Sequence, residues 1–133
     1  EALGSSIDGK ACGSLGKFGI LSFNGNKVIT TSGGGALLSN DENAITQARF
    51  LSTQAKDAAP YYEHSILGYN YRMSNILAAI GVGQLLVLED RVKARRDNHK
   101  FYEKIFGKVE GVEFLMEPQG YYSNRWLSCV LFD

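Results

Sequence analysis

Cysteine, proline and long apolar runs are all scarce in this sequence. Its 133 residues include 2 cysteines and 2 prolines, and Cys12 and Cys129 lie near opposite ends of the chain. Two distant thiols cannot form a disulfide framework, and this usage fits the reducing cytoplasm, where we expect the protein to act. No apolar run reaches the roughly 20 residues that a membrane-spanning helix requires, so we expect no membrane partner.

An excess of either charge is also missing. Lysine and arginine together number 14, aspartate and glutamate also number 14, and the formal net charge is zero. This balance excludes a general electrostatic attraction to nucleic acid or to an anionic membrane. The two histidines, His64 and His99, are far apart and belong to no Cys-x-x-Cys or His-Glu-x-x-His pattern, so no metal site is predicted.

What is present is a mixture of short apolar or β-branched runs and longer helical patterns, which predicts an α/β protein. Asp41 and Ser74 precede the two helical patterns as good N-cap residues, and Gly107 suits a helix end. The first half of the second helix is apolar on all sides, so it should be buried or packed on a partner. Residues 54–73, which contain Pro60 and several tyrosines, are predicted to form a long functional loop. The predicted strands are 19–23, 28–31, 36–39, 112–115 and 126–132, and the predicted helices are 41–53 and a continuous 75–106.

Two partial motifs can be rejected. Residues 4–11 nearly match the phosphate-binding P-loop, but Ala11 lacks the hydroxyl that would hold Mg²⁺ at the last position. The tyrosines of 61–71 could stack on bases, but nucleic-acid platforms pair aromatic side chains with a basic field that this segment lacks. We therefore predict neither a P-loop nor a nucleic-acid interface.

Lys27 is the residue whose interpretation depends most on its surroundings. It follows Asn24-Gly25-Asn26 between two predicted strands, and this spacing alone indicates a solvated lysine near a hairpin. Lysine chemistry requires a desolvated or charge-flanked amine, because only the neutral amine is a nucleophile. The residue pattern by itself leaves both interpretations open.

Three further segments form a pattern: 22–36, which contains Lys27, 48–54 (Ala-Arg-Phe-Leu-Ser-Thr-Gln) and 68–75 (Gly-Tyr-Asn-Tyr-Arg-Met-Ser-Asn). In order and spacing they resemble the DegT/StrS family of pyridoxal-phosphate-dependent nucleotide-sugar aminotransferases. The run 123–127 (Ser-Asn-Arg-Trp-Leu) is similar to the branch that makes 4-amino-4,6-dideoxy sugars on UDP carriers. The resemblance extends over the full length of the chain.

This resemblance implies a fragment of the type I (aspartate aminotransferase) fold of pyridoxal 5′-phosphate (PLP) enzymes. Residues 1–74 would be the C-terminal part of the large PLP-binding domain, with the lysine segment. Residues 75–133 would be the interdomain helix and part of the small C-terminal domain. Family members are much longer, and their aspartate that pairs with the pyridine nitrogen would lie just before Glu1. We therefore expect that the chain is a piece of a larger enzyme.

The resemblance also implies roles for three residues. Lys27 would form the Schiff base with PLP and then shuttle a proton during the reaction. The Ser22 hydroxyl would bind the cofactor phosphate. Asn70 would reach the phosphate of the cofactor bound by the neighbouring subunit, so that a homodimer shares its two sites.

The implied reaction moves the amino group of glutamate to a nucleotide-linked 4-keto-6-deoxy sugar, as in the synthesis of surface polysaccharide or glycan precursors. One alternative is the PLP-dependent sugar dehydratase branch, which replaces the lysine by histidine, so Lys27 argues against it. Another is that the isolated chain is a non-catalytic scaffold or dimerisation piece, because half of the cofactor site would lie outside it. Tyr71, Arg72 and Glu1 border the same site, and we assign them no role.

Overall fold

A computed structural model describes residues 1–133, which form three helices and seven short strands. In chain order the elements are β1 (Ser6–Ile7), β2 (Lys10–Ala11), β3 (Gly19–Ser22), β4 (Gly35–Leu38), α1 (Glu42–Ser52), α2 (Asn75–Leu85), α3 (Leu88–Phe106), β5 (Val112–Phe114), β6 (Tyr121–Tyr122) and β7 (Val130–Phe132). Every strand pair is antiparallel: β1 pairs with β2 and β6, β3 with β4, and β5 with β7. The pairs form three separate small sheets, none of which is wide enough to enclose a core.

The β3–β4 hairpin carries the Lys27 segment as a loop between its strands. Its register pairs Gly19 with Leu38 and Ser22 with Gly35, and both strands were expected from the sequence. The predicted strand at 28–31 is wrong, because this segment curls back onto the end of β3. The Thr31 N–H donates to the Phe23 carbonyl at 2.9 Å, so the hydrogen bond that a neighbouring strand would need is made inside the loop.

The predicted helix at 41–53 is confirmed as α1. The Asp41 carboxylate accepts a hydrogen bond from the Ala44 N–H at 3.0 Å, which satisfies one of the unpaired donors of the first turn. Ser74 caps α2 in the same way, with its hydroxyl accepting from the Leu77 N–H at 3.3 Å. The polar residues that mark these helix starts in the sequence therefore make the expected contacts.

The single helix predicted over 75–106 is wrong, because the structure breaks it into α2 and α3. At the break Val87 leaves the helical region, with φ −114° and ψ 15°. Gly81 and Gly83 weaken the end of α2, since glycine is a poor helix former. Glu89 and Asp90 stand in the first turn of α3, where acidic side chains favour a new helix N-terminus.

The C-terminal segment forms less strand than expected. The predicted strand at 112–115 is found as β5, but only the last part of 126–132 is a strand, β7, because Trp126 belongs to a turn. In that turn Arg125 has a φ of +48° and the Trp126 N–H bonds to the Asn124 side chain. Strands β1, β2 and β6 are two residues long, too short to leave a periodic pattern in the sequence. The division of the chain at residue 74 stays a prediction.

Little of this chain is buried within itself. Only 11 of its 133 residues are buried, and the accessible surface is 9827 Å². A compact monomer of this mass exposes about 6,900 Å². The apolar first half of α2 is not covered within the chain, since Ile76 is 76% exposed. This is more apolar surface than a compact monomer usually leaves exposed.

None of the helices combines the length and the apolar character that crossing a membrane would require.

Candidate functional site

The site is built around Lys27, in the loop that joins β3 and β4. The Lys27 backbone N–H donates to the Asn24 carbonyl at 3.1 Å, which forms a tight turn. Ile29, two residues later, is 2% exposed and anchors the loop to the chain interior. The Lys27 side chain is only 13% exposed, whereas that of Lys17 is 70% exposed. Lys27 is thus a shielded amine, and the solvated lysine indicated by spacing alone is wrong.

Two side chains from distant parts of the sequence flank the Lys27 amine. Its Nζ donates to Glu1 Oε1 at 2.7 Å and lies 4.3 Å from the centre of the Trp126 ring. The hydrogen bond and the positive charge of Lys27 hold the pKa of the Glu1 carboxyl below its usual value. The amine therefore has a carboxylate at hydrogen-bond distance and an aromatic face within the range of a cation–π contact.

Trp126 is fixed to the lysine loop at the far end of its ring. The indole Nε1–H donates to the Asn26 carbonyl at 2.6 Å, across 100 positions of sequence. At its other end the Trp126 backbone N–H donates to Asn124 Oδ1 at 2.9 Å. Both the backbone of Trp126 and its ring are therefore held by hydrogen bonds, and one face of the ring lies against Lys27.

Asn124 connects this turn to the first residues of the chain. It is buried, and its side-chain Nδ2 donates to the carbonyls of Glu1 at 2.7 Å and Leu3 at 2.8 Å. Its backbone N–H donates to the Ser5 hydroxyl at 2.9 Å. Sequence reasoning missed the parts played by Glu1, Asn124 and Trp126. The run 123–127 was the available signal, but nothing in it pointed to Lys27.

A charged network stabilises the segment that leads into Asn124. The Glu117 carboxylate accepts from Arg96 Nη1 at 2.5 Å and Nη2 at 3.1 Å, and from the Ser123 N–H at 2.6 Å. The buried Arg125 guanidinium lies 3.9 Å from the same carboxylate. These bonds, that of Arg96 first, lower the pKa of Glu117 from 4.5 to about 2. The network thus ties α3 to the 117–125 segment.

His99 lies beside this network and is a structural residue. It is 4% exposed, and its ring meets Phe114 edge-on with 5.6 Å between ring centres. Neither ring nitrogen has a hydrogen-bond partner within the chain. Burial, and then the charge of Arg125, lower the pKa of His99, which favours the neutral ring.

Ser22 ends β3, five residues before Lys27 and on the same hairpin. Its hydroxyl accepts a long hydrogen bond of 3.5 Å from the Asn24 N–H and makes no other within the chain. The structure therefore brings Ser22 and Lys27 to one end of the hairpin. A hydroxyl so weakly engaged can donate to a ligand.

Asn70 lies on a different part of the chain. Its backbone pairs with Thr53, and hydrogen bonds from Tyr69 to Leu51 (2.7 Å) and from Tyr71 to Ser52 (3.0 Å) fix the segment against the end of α1. The Asn70 side chain is exposed and makes no hydrogen bond within the chain. No hydrogen bond or ion pair joins it to the Lys27 loop.

Tyr71 and Arg72, left without a role above, line an open groove between β4 and the last turns of α1. The Tyr71 ring stacks on that of Tyr69 with 5.1 Å between centres. Neither residue contacts Lys27 through a hydrogen bond or an ion pair.

The chain is similar in sequence to known aminotransferases. A sequence model of the DegT/DnrJ/EryC1/StrS aminotransferase family matches residues 1–132. A Bacillus subtilis protein, EpsN, whose name places it among the pyridoxal phosphate-dependent aminotransferases, is 53% identical over 133 residues. A Vibrio cholerae GDP-perosamine synthase is 35% identical over 133 residues, and a Campylobacter jejuni UDP-4-amino-4,6-dideoxy-N-acetyl-beta-L-altrosamine transaminase is 37% identical over 110 residues.

These three relatives are all longer than the chain. The match to EpsN covers 100% of the chain and 34% of EpsN. The match to the perosamine synthase covers 100% of the chain and 36% of that enzyme, and the match to the Campylobacter transaminase covers 81% of the chain and 29% of that enzyme. The chain therefore spans about a third of the length of the curated relatives that it matches.

Solved structures share its fold. The aminotransferase TlmJ from Streptoalloteichus hindustanus superimposes with a TM-score of 0.90 at 30% identity, over 97% of the chain and 36% of TlmJ. The PLP form of the Streptococcus pneumoniae sugar aminotransferase Spr1654 superimposes with a TM-score of 0.91 at 25% identity, over 100% of the chain and 36% of Spr1654. Both comparisons assign the three small sheets and three helices to part of the type I fold, as expected.

Proposed function

The chain belongs to the DegT/DnrJ/EryC1/StrS aminotransferase family, and on that premise we propose that it supplies the lysine-bearing part of a transaminase active site. The sugar aminotransferases of this family depend on PLP. The reaction proposed for the whole enzyme moves the amino group of glutamate to a nucleotide-linked 4-keto-6-deoxy sugar. The observation that carries the proposal is the shielded Lys27 amine, held between a carboxylate and an aromatic ring.

The residues around Lys27 fit PLP by their chemistry. The cofactor carries an aldehyde that combines with a primary amine and a phosphate that accepts hydrogen bonds. The Lys27 Nζ offers the amine, and the Ser22 hydroxyl, on the same end of the hairpin, offers a donor for the phosphate. When bound, PLP supplies the electron sink that lets a proton leave the amino-acid Cα.

Lys27 is then the group that moves this proton. Its Nζ must be neutral to take a proton from the Cα of the donor amino acid, and protonated to return it later. Glu1 and Trp126 orient the amine for this role, because they place a carboxylate and a ring face against the Nζ. Because the Lys27 side chain is shielded from water, its amine exchanges this proton less readily with solvent.

The sugar nucleotide is the least constrained part of the proposal. The Vibrio relative is named for a GDP sugar and the Campylobacter relative for a UDP sugar, at similar identities. Both names describe amino-sugar enzymes, which supports a nucleotide-linked 4-keto sugar as acceptor. We keep the UDP carrier as a proposal, and with it a role in making precursors of surface polysaccharides or glycans.

The alternatives find less support. A sugar dehydratase of the same family would carry histidine in place of Lys27. A purely structural role for residues 1–133 is favoured only for the isolated piece, because so much of its apolar surface is exposed. That exposure instead supports a longer enzyme whose remaining polypeptide covers these faces.

Covalent labelling tests the proposal directly. Borohydride reduction of the full-length protein with PLP should leave the cofactor mass on the peptide that contains Lys27 and not on the one that contains Lys17. The purified protein should also release 2-oxoglutarate from glutamate when supplied with UDP- or GDP-linked 4-keto-6-deoxy sugar. Labelling at another lysine, or none, would overturn the assignment of Lys27. Labelling without turnover on either sugar would overturn only the substrate.

Asn70 is proposed to complete the site of a second subunit. Within one chain it has no link to the Lys27 loop, and its side chain projects from a segment fixed firmly by its backbone. The exposed apolar surface of α2, which follows directly, offers a face for a partner subunit. A homodimer would thus bring Asn70 of one subunit to the cofactor phosphate of the other.

Replacing Asn70 by aspartate should weaken PLP binding, because it sets a carboxylate against the phosphate. We expect a loss of about 1.5–3 kcal/mol, the range for a hydrogen bond to a charged group. The matched control Asn98→Asp, at an exposed position of α3, should bind PLP as the wild type does. Equilibrium titration of the apoprotein with PLP, followed by absorbance, gives both values.

Mixed subunits decide whether Asn70 acts across the dimer. At limiting PLP, dimers of one Lys27→Ala and one Asn70→Asp subunit would contain one intact site, assembled from both chains. Random mixing should then restore about a quarter of the wild-type activity. If hybrid dimers form and activity stays at the level of the unmixed variants, Asn70 serves its own subunit.

A further inference from the structure

We propose, resting on the function proposed above, that Trp126 is a positioning residue for Lys27 that holds and shields the amine through its indole ring. The side chain lies 4.3 Å from Lys27 Nζ on one face and bonds to the Asn26 carbonyl through Nε1 at 2.6 Å. Asn26 immediately precedes Lys27, so one side chain contacts both the backbone of the lysine turn and the end of the lysine side chain.

The geometry of Trp126 is more constrained than packing alone requires. An indole buried for its apolar area needs no particular orientation, whereas the Trp126 ring is oriented by its Nε1–H bond to Asn26 and its backbone is fixed by the bond to Asn124. The backbone N–H is bound to Asn124, which in turn bonds to the carbonyls of Glu1 and Leu3. One buried amide therefore holds the backbones of both residues whose side chains contact the Lys27 amine.

The ring can act on Lys27 in two ways. Its electron-rich face attracts the ammonium form, and this attraction is larger where water is partly excluded. Its bulk also blocks one approach to Nζ, which agrees with the 13% exposure of the lysine side chain. Removing the ring should therefore both release the amine from this position and open it to reagents.

Trp126 also joins two regions that the sequence keeps apart. Lys27 belongs to the β3–β4 hairpin, and Trp126 follows the segment that Glu117 ties to α3. Movement of the 117–125 segment relative to the hairpin would remove the ring from the amine. The exposure of the Lys27 amine thus depends on the position of the C-terminal segment.

The test measures the reactivity of individual lysines in the full-length apoprotein. Acetic anhydride is applied in limiting amount, and the acetylation of Lys27 and Lys17 is followed by peptide mass spectrometry. In Trp126→Leu the ratio of Lys27 to Lys17 acetylation should rise several-fold, because the indole ring no longer covers one approach to the Lys27 amine. Trp126→Phe, which keeps a ring face but loses the bond to Asn26, should fall between the wild type and the leucine variant.

The control is Leu127→Ala, which removes an exposed side chain from the same segment and should leave the ratio unchanged. A second reading is the rate at which the loaded protein loses PLP on dilution, which should rise in the order wild type, Trp126→Phe, Trp126→Leu. If Trp126→Leu does not fold, Trp126→Phe alone decides the matter. Wild-type ratios and PLP retention in the folded tryptophan variants would overturn this inference. Because borohydride labelling of Lys27 in the wild type tests the proposed function separately, the two failures are distinguishable.

Discussion

Replacing Lys27 by alanine in the full-length protein is expected to abolish transamination. The variant loses the amine that combines with PLP and the group that moves the proton, and loss of a general base alone costs about 10²- to 10⁴-fold. Because both roles rest on one atom, we expect a decrease of more than ~1,000-fold in kcat, or above ~4 kcal/mol. Steady-state assays with glutamate and the keto sugar give this value.

The matched control is Lys17→Ala, which replaces a lysine two residues before the start of β3. The Lys17 side chain is 70% exposed and its ion pair with Asp41 spans 3.4 Å, so its removal should leave turnover and PLP labelling unchanged. Appreciable turnover in Lys27→Ala would refute the central assignment. Equal losses in both variants would show that lysine replacement harms the fold and not the chemistry.

Replacing Glu117 by glutamine should loosen the C-terminal segment. Arg96 and the buried Arg125 would lose their shared carboxylate, while the amide oxygen could still accept from the Ser123 N–H. A shift of the Glu117 pKa from 4.5 to about 2 corresponds to ~3 kcal/mol. Since the side chains retain some contact with water, we expect ~2 kcal/mol of lost local stability at pH 7.

The pH dependence of this effect has a definite sign. The pKa of Glu117 is lower in the folded chain, so its stabilisation is complete above about pH 4.5 and is lost as the pH falls toward 2. The difference in local stability between the wild type and Glu117→Gln should therefore decrease as the pH falls from about 4.5 toward 2. Hydrogen exchange of the β5 and β7 amides measures the local opening. Asp97→Asn breaks the exposed pair with Lys93 and serves as the control, with no measurable change expected. A difference that stays constant down to pH 2 would contradict this account.

Local signals in the sequence were sufficient for the elements that local interactions stabilise. Asp41 and Ser74 cap their helices as expected, because an N-cap needs only a side-chain oxygen and an N–H three residues away. The strands predicted at 19–23 and 36–39 were also found, because each is a short apolar run that can be recognised from its own residues. Family membership came from short motifs in order, and the comparisons confirm it.

Predictions failed where the composition of a segment allows more than one conformation. The β-branched run at 28–31 has the composition of a strand, yet its hydrogen bond goes to Phe23 within the loop. The helix over 75–106 has continuous helical residues, yet Val87 interrupts it between two glycines upstream and two acidic residues downstream. Composition determines which conformations of a segment have low free energy, and the contacts of the folded chain select one of them.

The sequence by itself determined the family, the candidate lysine and the hairpin that carries it, because these depend on residues close together along the chain. The tertiary structure alone decided the environment of that lysine. Glu1 and Trp126 lie 26 and 100 positions from the loop residues that they contact, and no spacing rule links them. A buried asparagine, Asn124, brings the two ends of the chain together there. The burial of the Lys27 amine and its contacts with Glu1 and Trp126 result from folding in three dimensions. For that reason they could not be predicted from the neighbours of Lys27 in sequence.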